Sequence, residues 1–242
     1  MEDYPFISLC MPIFERNNFI PLIINNLNRL DYPKEKLEFI IDDDGINEKF
    51  KDWNNKISFE EQIKPIKLKI YEYDIKREIG TKRNNLVKKS THKLISFIDS
   101  DDLYMSNYLK HSLEIMKKGK YGLVGANSML FCYPHLDFKI TGIQCTEKRM
   151  IHEASMMFTK KHWKATGGFQ KNSMGEGTGM VDGMIGKSVG LTRINECMLC
   201  LCHNNNTIKK DRFIESQKIE GELSDYDKGL IYGYIDKPNP ID

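Results

Sequence analysis

Leu94 to Tyr104 reads LISFIDSDDLY, an apolar run that closes on three carboxylates, Asp99, Asp101 and Asp102. The residues Leu94, Ile95, Phe97 and Ile98 predict a buried strand, which delivers the three acids together at its C-terminal end. That end is where an open α/β sheet keeps its ligands. Clustered carboxylates raise one another's pKa unless a cation lies among them, and hard oxygen donors suit Mg2+ or Mn2+. The motif therefore points to a metal with a phosphate behind it. Taken alone, an acidic triplet of this kind is more often a turn that caps a helix, here one starting near Ser106, so the remaining chain decides between the two.

The flanking sequence supplies a sheet for that strand. Phe6 to Met11 predicts a short strand broken by Pro12, and Asn17 or Asn18 caps a helix with Phe19, Ile20, Ile23, Leu27 and Leu30 on one face. Tyr32-Pro33 ends that helix, and Leu37 to Ile41 predicts a second buried strand running into Asp42-Asp43-Asp44-Gly45. The polar stretch 47–64 has no clear assignment. Ile66 to Tyr71 alternates as a third strand, and a helix from Gly80-Thr81 to Lys89 leads into the acidic strand. This β-α-β-(α)-β-α-β order predicts an α/β fold, a mainly parallel sheet flanked by helices. Downstream, a helix from Asn107 to Lys117 ends at Gly119, and Tyr121 to Ala126 reads as a strand. The second half is less regular: Thr159 caps a short helix to Ala165, Gly167-Gly168 stops it, a glycine-rich segment runs from Met174 to Gly186, and a Cys/Leu strand leads to His203.

Composition narrows the class. With 242 residues and 40% hydrophobic content the chain can bury one good core, and 36 basic against 34 acidic residues leave a charge of +2 with no one-signed block, which excludes a typical nucleic-acid binder. No apolar run approaches the ~20 residues of a membrane-spanning helix. The start, Met1-Glu2-Asp3-Tyr4-Pro5, is acidic where a signal peptide is basic. A soluble, cytoplasmic chain is expected, with an amphipathic, peripheral contact to a membrane surface compatible with it. The six cysteines lack regular spacing and read as free, mostly buried thiols. Cys197, Cys200, Cys202 and His203 alternate like a strand and have no second ligand pair at zinc-finger spacing.

The segments SLCMPIFERN, EFIIDDDG, GTKRNNL and SFIDSDDLY, in this order, resemble the N-terminal half of family 2 glycosyltransferases with the GT-A fold. ASMMFTKKHWKATGGF resembles that family's acceptor-side segment and HNNNT its late His-and-Asn motif, so the likeness runs from about Phe6 to Thr207. The strength lies in the ordered set rather than in any one piece. The resemblance implies a single GT-A, Rossmann-like domain over 1–208, with a nucleotide-binding half (1–105), an acceptor-binding half (106–208) and a tail (209–242). It implies a metal-dependent, inverting transfer of one sugar from a nucleotide diphosphate sugar, UDP by family habit, to a glycan, lipid or protein hydroxyl.

Roles follow from the same resemblance. Asp101 and Asp102 would hold Mn2+ or Mg2+, which absorbs the charge growing on the departing diphosphate, with Asp99 contacting the ribose or, indirectly, the ion. Asp44, and with it Asp43, would accept hydrogen bonds from the base and ribose. Arg83 would meet the diphosphate or fix the aspartates, Phe14 would stack on the base, and Pro12 would shape that loop. His203 would be a late ligand to the metal or the diphosphate. Inversion needs a base for the acceptor hydroxyl. Where the family has a Glu-Asp pair, this chain offers Glu176 and Asp182; Asp182 is favoured because it opens a helix-like segment, although an N-cap acid would look the same. Gly167-Gly168-Phe169 would floor the acceptor site, with Trp163 either packed beneath it, the favoured reading, or stacked on a sugar ring. A sugar nucleotidyltransferase is disfavoured because Pro12-Ile-Phe-Glu15-Arg16 is no glycine-rich phosphate loop. A nucleotide-sugar-binding scaffold without turnover is the remaining alternative. Donor sugar, acceptor and oligomeric state stay open.

Overall fold

The computed structural model describes residues 4–144, 150–204, 206, 209–219 and 222–233. Cys145, Asn205 and Thr207 of the HNNNT motif, and the two tail prolines at 238 and 240 lie outside them. In chain order the elements are β1 (Ile7–Ile13), α1 (Ile20–Arg29), β2 (Leu37–Asp43), α2 (Phe50–Ile57), α3 (Phe59–Gln62), β3 (Lys67–Glu72), α4 (Ile79–Lys89), β4 (Leu94–Phe97), β5 (Leu103–Tyr104) and α5 (Tyr108–Gly119). Then come β6 (Leu123–Gly125), β7 (Ser128–Tyr133), β8 (Lys139–Gln144), β9 (Met157–Thr159), α6 (Lys160–Thr166), β10 (Val189–Leu191), β11 (Met198–Leu201), β12 (Gln217–Lys218) and α7 (Asp225–Tyr232).

Seven strands form the main sheet in the order β10-β6-β9-β4-β1-β2-β3. Pairings β3-β2, β2-β1, β1-β4 and β6-β10 are parallel, and β9 alone runs against both its neighbours, β4 and β6. The expected α/β class with a mainly parallel sheet is what the chain forms. β1, β2 and β4 are continuous apolar runs because both their faces are covered. Leu9, Phe39 and Ile41 join the core on the α1 and α5 side, whereas Cys10, Ile40, Ile95 and Phe97 join that on the α4 side, with Phe158 and Phe169.

A second sheet, β12-β8-β7-β11-β5, carries the less regular half. Its β7-β8 hairpin has no counterpart among the predicted elements. The residues after 208 do more than trail from the domain. β12 pairs with β8, Phe213 stacks on Phe131 at 4.7 Å, and Arg29 of α1 meets Asp227 of α7 at 3.0 Å.

Three local expectations are corrected. Pro12 does not end β1, which runs on to Ile13 opposite Asp43. The Cys10 carbonyl accepts from Ile98 N–H on the β4 side, so the N–H that Pro12 lacks points where β4 has already ended, and no ladder bond is lost. The first helix begins with a 3-10 turn, Asn17–Phe19, and no side chain caps it. Helix α5 includes Gly119, and Lys120 takes the left-handed conformation, with φ of 53°, that closes it.

Candidate active site

The parallel strands deliver their C-terminal ends to one rim, where a cleft of about 1380 Å3 opens between the two sheets. The acidic loop after β4 is held from below by a buried polar residue. Asn26 on α1 donates to the Asp102 carbonyl at 2.8 Å and accepts from Tyr104 N–H at 3.0 Å, so one helix side chain fixes both ends of the turn. Asp102 itself reaches across to the second sheet, its Oδ1 accepting from Leu201 N–H at 3.1 Å. Burial, and then the charges of Asp101 and Asp99, push its carboxyl well above the ordinary range.

Asp101 has the opposite electrostatics. Burial works against its charged form, but His203 Nε2 at 3.1 Å and the Arg16 guanidinium paired with it outweigh that cost and hold the carboxyl down at about 2. His203 is oriented by Asn206 at 3.0 Å and by the Phe19 ring at 4.9 Å. Among the described residues, no three His, Cys, Asp or Glu side chains converge tightly enough to enclose a metal ion. The donor chemistry nevertheless fits one. Asp101 and His203 are in contact at the rim, and the raised carboxyl of neighbouring Asp102 marks an excess of negative charge that a divalent ion would relieve.

Arg83 joins the acidic loop to the glycine-rich segment. Its Nε donates to Glu176 Oε1 at 2.9 Å, its Nη2 to Asp99 Oδ1 at 3.2 Å, and its guanidinium lies over the Phe97 ring at 4.6 Å. Nη1 is buried and has no hydrogen-bond partner among the described residues. Glycine makes the Glu176 approach feasible: a Cβ on Gly80, at the start of α4, would sit 1.8 Å from the Gln170 carbonyl oxygen, and the Gly80 N–H donates to Asn172 O at 2.9 Å. The segment carrying Glu176 therefore lies directly on the helix that carries Arg83.

Pro12, Phe14, Arg83, Asp99, Asp101, Asp102 and Glu176 all line the cleft, and His203 abuts it through Asp101. Asp43 and Asp44 are not among the lining residues. Asp43 accepts from the N–H groups of Gly45 at 2.9 Å and Phe50 at 2.6 Å, holding the turn into α2. Asp44 is fully buried, pairs with Lys82 and accepts from Arg77 N–H at 2.6 Å. Asp182 is also outside: it is exposed and forms no part of the cleft wall. The 3-10 turn Thr178–Met180 before it buries Met180 and Val181, which turns the next residue to the surface. Trp163 packs as expected, its Nε1 donating to Asn84 Oδ1 at 2.8 Å.

Several wall residues had no sequence signal. Lys82, Arg16, Lys210 and Arg212 bring positive charge to the cleft, and His152 and Glu153, just before β9, face it from the second half of the chain. Lys76 lies 4.1 Å from the centre of the Phe14 ring. Burial presses the His152 imidazole down to about 4, so it is neutral at ordinary pH. Burial and then Glu176 push the Glu153 carboxyl up to about 7.

Comparison with known proteins agrees with this architecture. The Escherichia coli UDP-Glc:alpha-D-GlcNAc-diphosphoundecaprenol beta-1,3-glucosyltransferase WfgD is 29% identical over 137 residues, which cover 54% of this chain and 51% of that one. The chain thus spans about half the length of that relative. Among solved structures, the mannosyltransferase PcManGT from Pyrobaculum calidifontis in complex with GDP-Man and Mn2+ matches with a TM-score of 0.62 at 16% identity, over 87% of this chain and 59% of that chain. S. aureus TarS 1-349 in complex with UDP-GlcNAc matches with a TM-score of 0.62 at 12% identity, over 95% and 71%. Both share the GT-A fold seen here. The family model "Glycosyl transferase family 2" matches residues 8–171, the span that builds the acidic loop, the Arg83 helix and the Gly167-Gly168-Phe169 turn, and the chain belongs to that family.

Proposed function

We propose that the cleft binds a nucleotide diphosphate sugar and passes its sugar, with inversion, to a hydroxyl of a glycan, lipid or protein acceptor. The observation that carries this reading is the meeting of Asp99, Asp101 and Asp102 with Arg83 and Arg16 on one rim of a cleft large enough for both substrates. Opposed charges at close range suit a ligand that brings a diphosphate and a cation together. Mn2+ or Mg2+ would be held by Asp101 and His203 with the second oxygen of Asp102, and it supplies charge neutralisation for the departing diphosphate. Arg16, which pairs with Asp101 here, would be available to the phosphates if an ion took over that carboxylate. Phe14 and the Lys76 ammonium above it offer the base a flat, cationic platform.

UDP is the favoured carrier, supported by the donor named for the Escherichia coli relative and by the UDP-GlcNAc complex of TarS. The GDP-Man and Mn2+ complex of the Pyrobaculum enzyme supports the metal. A lipid-linked acceptor is in keeping with the diphosphoundecaprenol substrate named for the Escherichia coli relative. No helix among the described residues is long and apolar enough to cross a membrane.

The test is the melting temperature against UDP, GDP, CDP, dTDP and their sugars, each with Mn2+ and with EDTA. A ligand at 100 times its Kd stabilises by about 2.7 kcal/mol. One nucleotide class that stabilises only with metal, through a shift that Asp101→Ala removes, is the expected result. A chain that no nucleotide stabilises, with or without metal, would defeat the reading.

A further inference from the structure

Transfer with inversion needs one carboxylate that faces the acceptor side of the cleft, is open to a hydroxyl and is not already bound to a cation. Asp182 fails on position. Glu176 fails on partnership, because its Oε1 holds Arg83 Nε at 2.9 Å with both side chains about 5% exposed or less. Protonating that carboxylate would leave a buried guanidinium with Asp99 as its remaining acidic partner.

Glu153 meets all three conditions. It lines the cleft, its Oε1 accepts from Gly177 N–H at 3.1 Å, and no Lys or Arg forms a salt bridge with it among the described residues. Its backbone is tied to the acidic loop through one hydroxyl. Tyr104 Oη donates to the Ala154 carbonyl at 3.1 Å and accepts from Asp99 N–H at 2.8 Å, so the turn carrying Glu153 and the loop carrying Asp99 share a support. Gly177 shows that the carboxylate has a place made for it. A Cβ there would lie 2.9 Å from Glu153 Cγ and 3.3 Å from Oε1, so the Glu153 side chain occupies the volume that a side chain at 177 would need.

We propose that Glu153 is the general base of the transfer, an inference that rests on reading the cleft as a nucleotide-sugar site. Glu153 Oε2 takes the proton of the acceptor hydroxyl while an electron pair of that oxygen forms the bond to the anomeric carbon. The bond from that carbon to the diphosphate oxygen breaks, and its electron pair leaves with the nucleoside diphosphate. Glu153 then gives the proton to water. The charged groups that face it are Glu176 and Arg83. Burial and Glu176 raise its carboxyl to about 7, against which Arg83 and the Gly177 N–H work, so it is poised near neutral pH where a general base is most effective.

The test uses the full chain with Mn2+ and UDP-GlcNAc, UDP-glucose or GDP-mannose, with octyl N-acetylglucosaminide or water as acceptor, and reads nucleoside diphosphate release beside the donor-induced melting shift. Glu153→Gln should cut release by about 100-fold or more while keeping the melting shift. Glu153→Asp should recover part of the rate, and the wild-type rate should rise with pH through about 7 on a limb absent from the residual rate of Glu153→Gln. Release within about threefold of wild type in Glu153→Gln overturns the inference and leaves the nucleotide-sugar reading standing. Donor binding by wild type without release to either acceptor also overturns it. A wild type that neither binds nor releases removes both readings. Should Glu153→Gln melt early without ligand, Glu153→Asp decides: unchanged rate and unchanged pH limb in a folded Glu153→Asp, set against wild-type release, overturn the assignment.

Discussion

Lys82 and Asp44 form an ion pair whose side chains are 3% and 0% exposed, and the same ammonium donates to the Ile13 carbonyl at 2.5 Å. Three elements meet at that nitrogen: the end of β1, the turn after β2 and the first turn of α4. The pair therefore fixes the wall on which Phe14 and Arg83 stand. Removing one member of such a pair strands a buried charge, at a cost of about 3–5 kcal/mol. Lys82→Ala is expected to lower the melting temperature by roughly 10 °C, at 2–4 °C per kcal/mol for a chain of this length. The double variant with Asp44→Ala should lose less than the sum of the two single losses, as a thermodynamic cycle would measure.

Asp182 separates position from motif. Because it is exposed and outside the cleft, Asp182→Asn should leave turnover within about twofold and stability within about 0.5 kcal/mol of wild type. A loss of transfer in this variant with unchanged donor binding would return the base to Asp182.

Glu153 also makes a prediction about stability alone. Its carboxyl is raised from 4.5 in an unfolded chain to about 7 in the fold, so between those values the folded state keeps a proton that the unfolded state has lost. Stability from this group is complete below 4.5 and falls as pH rises through about 7. Glu153→Gln removes the effect. The variant should therefore melt progressively higher relative to wild type as pH rises from 5 to 8, and melting scans across that range check the sign.

The segment after 208 should be required for the second sheet. A chain ending there loses Phe213 from the face of Phe131, the Tyr133 hydroxyl's bond to the Lys210 carbonyl at 3.0 Å, the Thr141 hydroxyl's bond to the Phe213 carbonyl at 2.9 Å, and buried Ile231. At ~1.5–3 kcal/mol for each large apolar side chain returned to water, the expected loss exceeds about 3 kcal/mol. A truncated chain with an unchanged denaturation midpoint would show this segment to be a passenger.

What the sequence made legible is what local pattern controls. A strand covered on both faces is a continuous apolar run, so β1, β2 and β4 could be read directly, and the acids at the end of β4 came with them. The direction in which an acid turns is set by partners far along the chain. Asp43 and Asp44 stand in the same kind of motif as Asp99 and Asp101, yet they are consumed by Phe50, Arg77 and Lys82. His111 and His162 illustrate the same limit. Both stand on helices whose local pattern does not mark them as core, yet both are buried, His111 accepting from Arg193 N–H at 3.2 Å and His162 Nε2 lying 2.9 Å from the Met180 carbonyl. Glu153 gave no signal because its value comes from an absent side chain at Gly177 and from a tyrosine whose sequence neighbours do not reveal it.

The reversed direction of β9 carries a further consequence. Met157 lies opposite Ser96 and Thr159 opposite Leu94, so this strand meets the ligand rim with its beginning, and its end leads away into α6. β1, β3, β4 and β6 feed the rim with residues that follow them; β9 feeds it with residues that precede it. Lengthening or shortening the chain between β8 and β9 re-aims those residues while the pairing register of β9 stays fixed by β4 and β6. A lineage carrying this fold can thus vary that part of the rim by editing one connecting segment, with the parallel strands inherited unaltered.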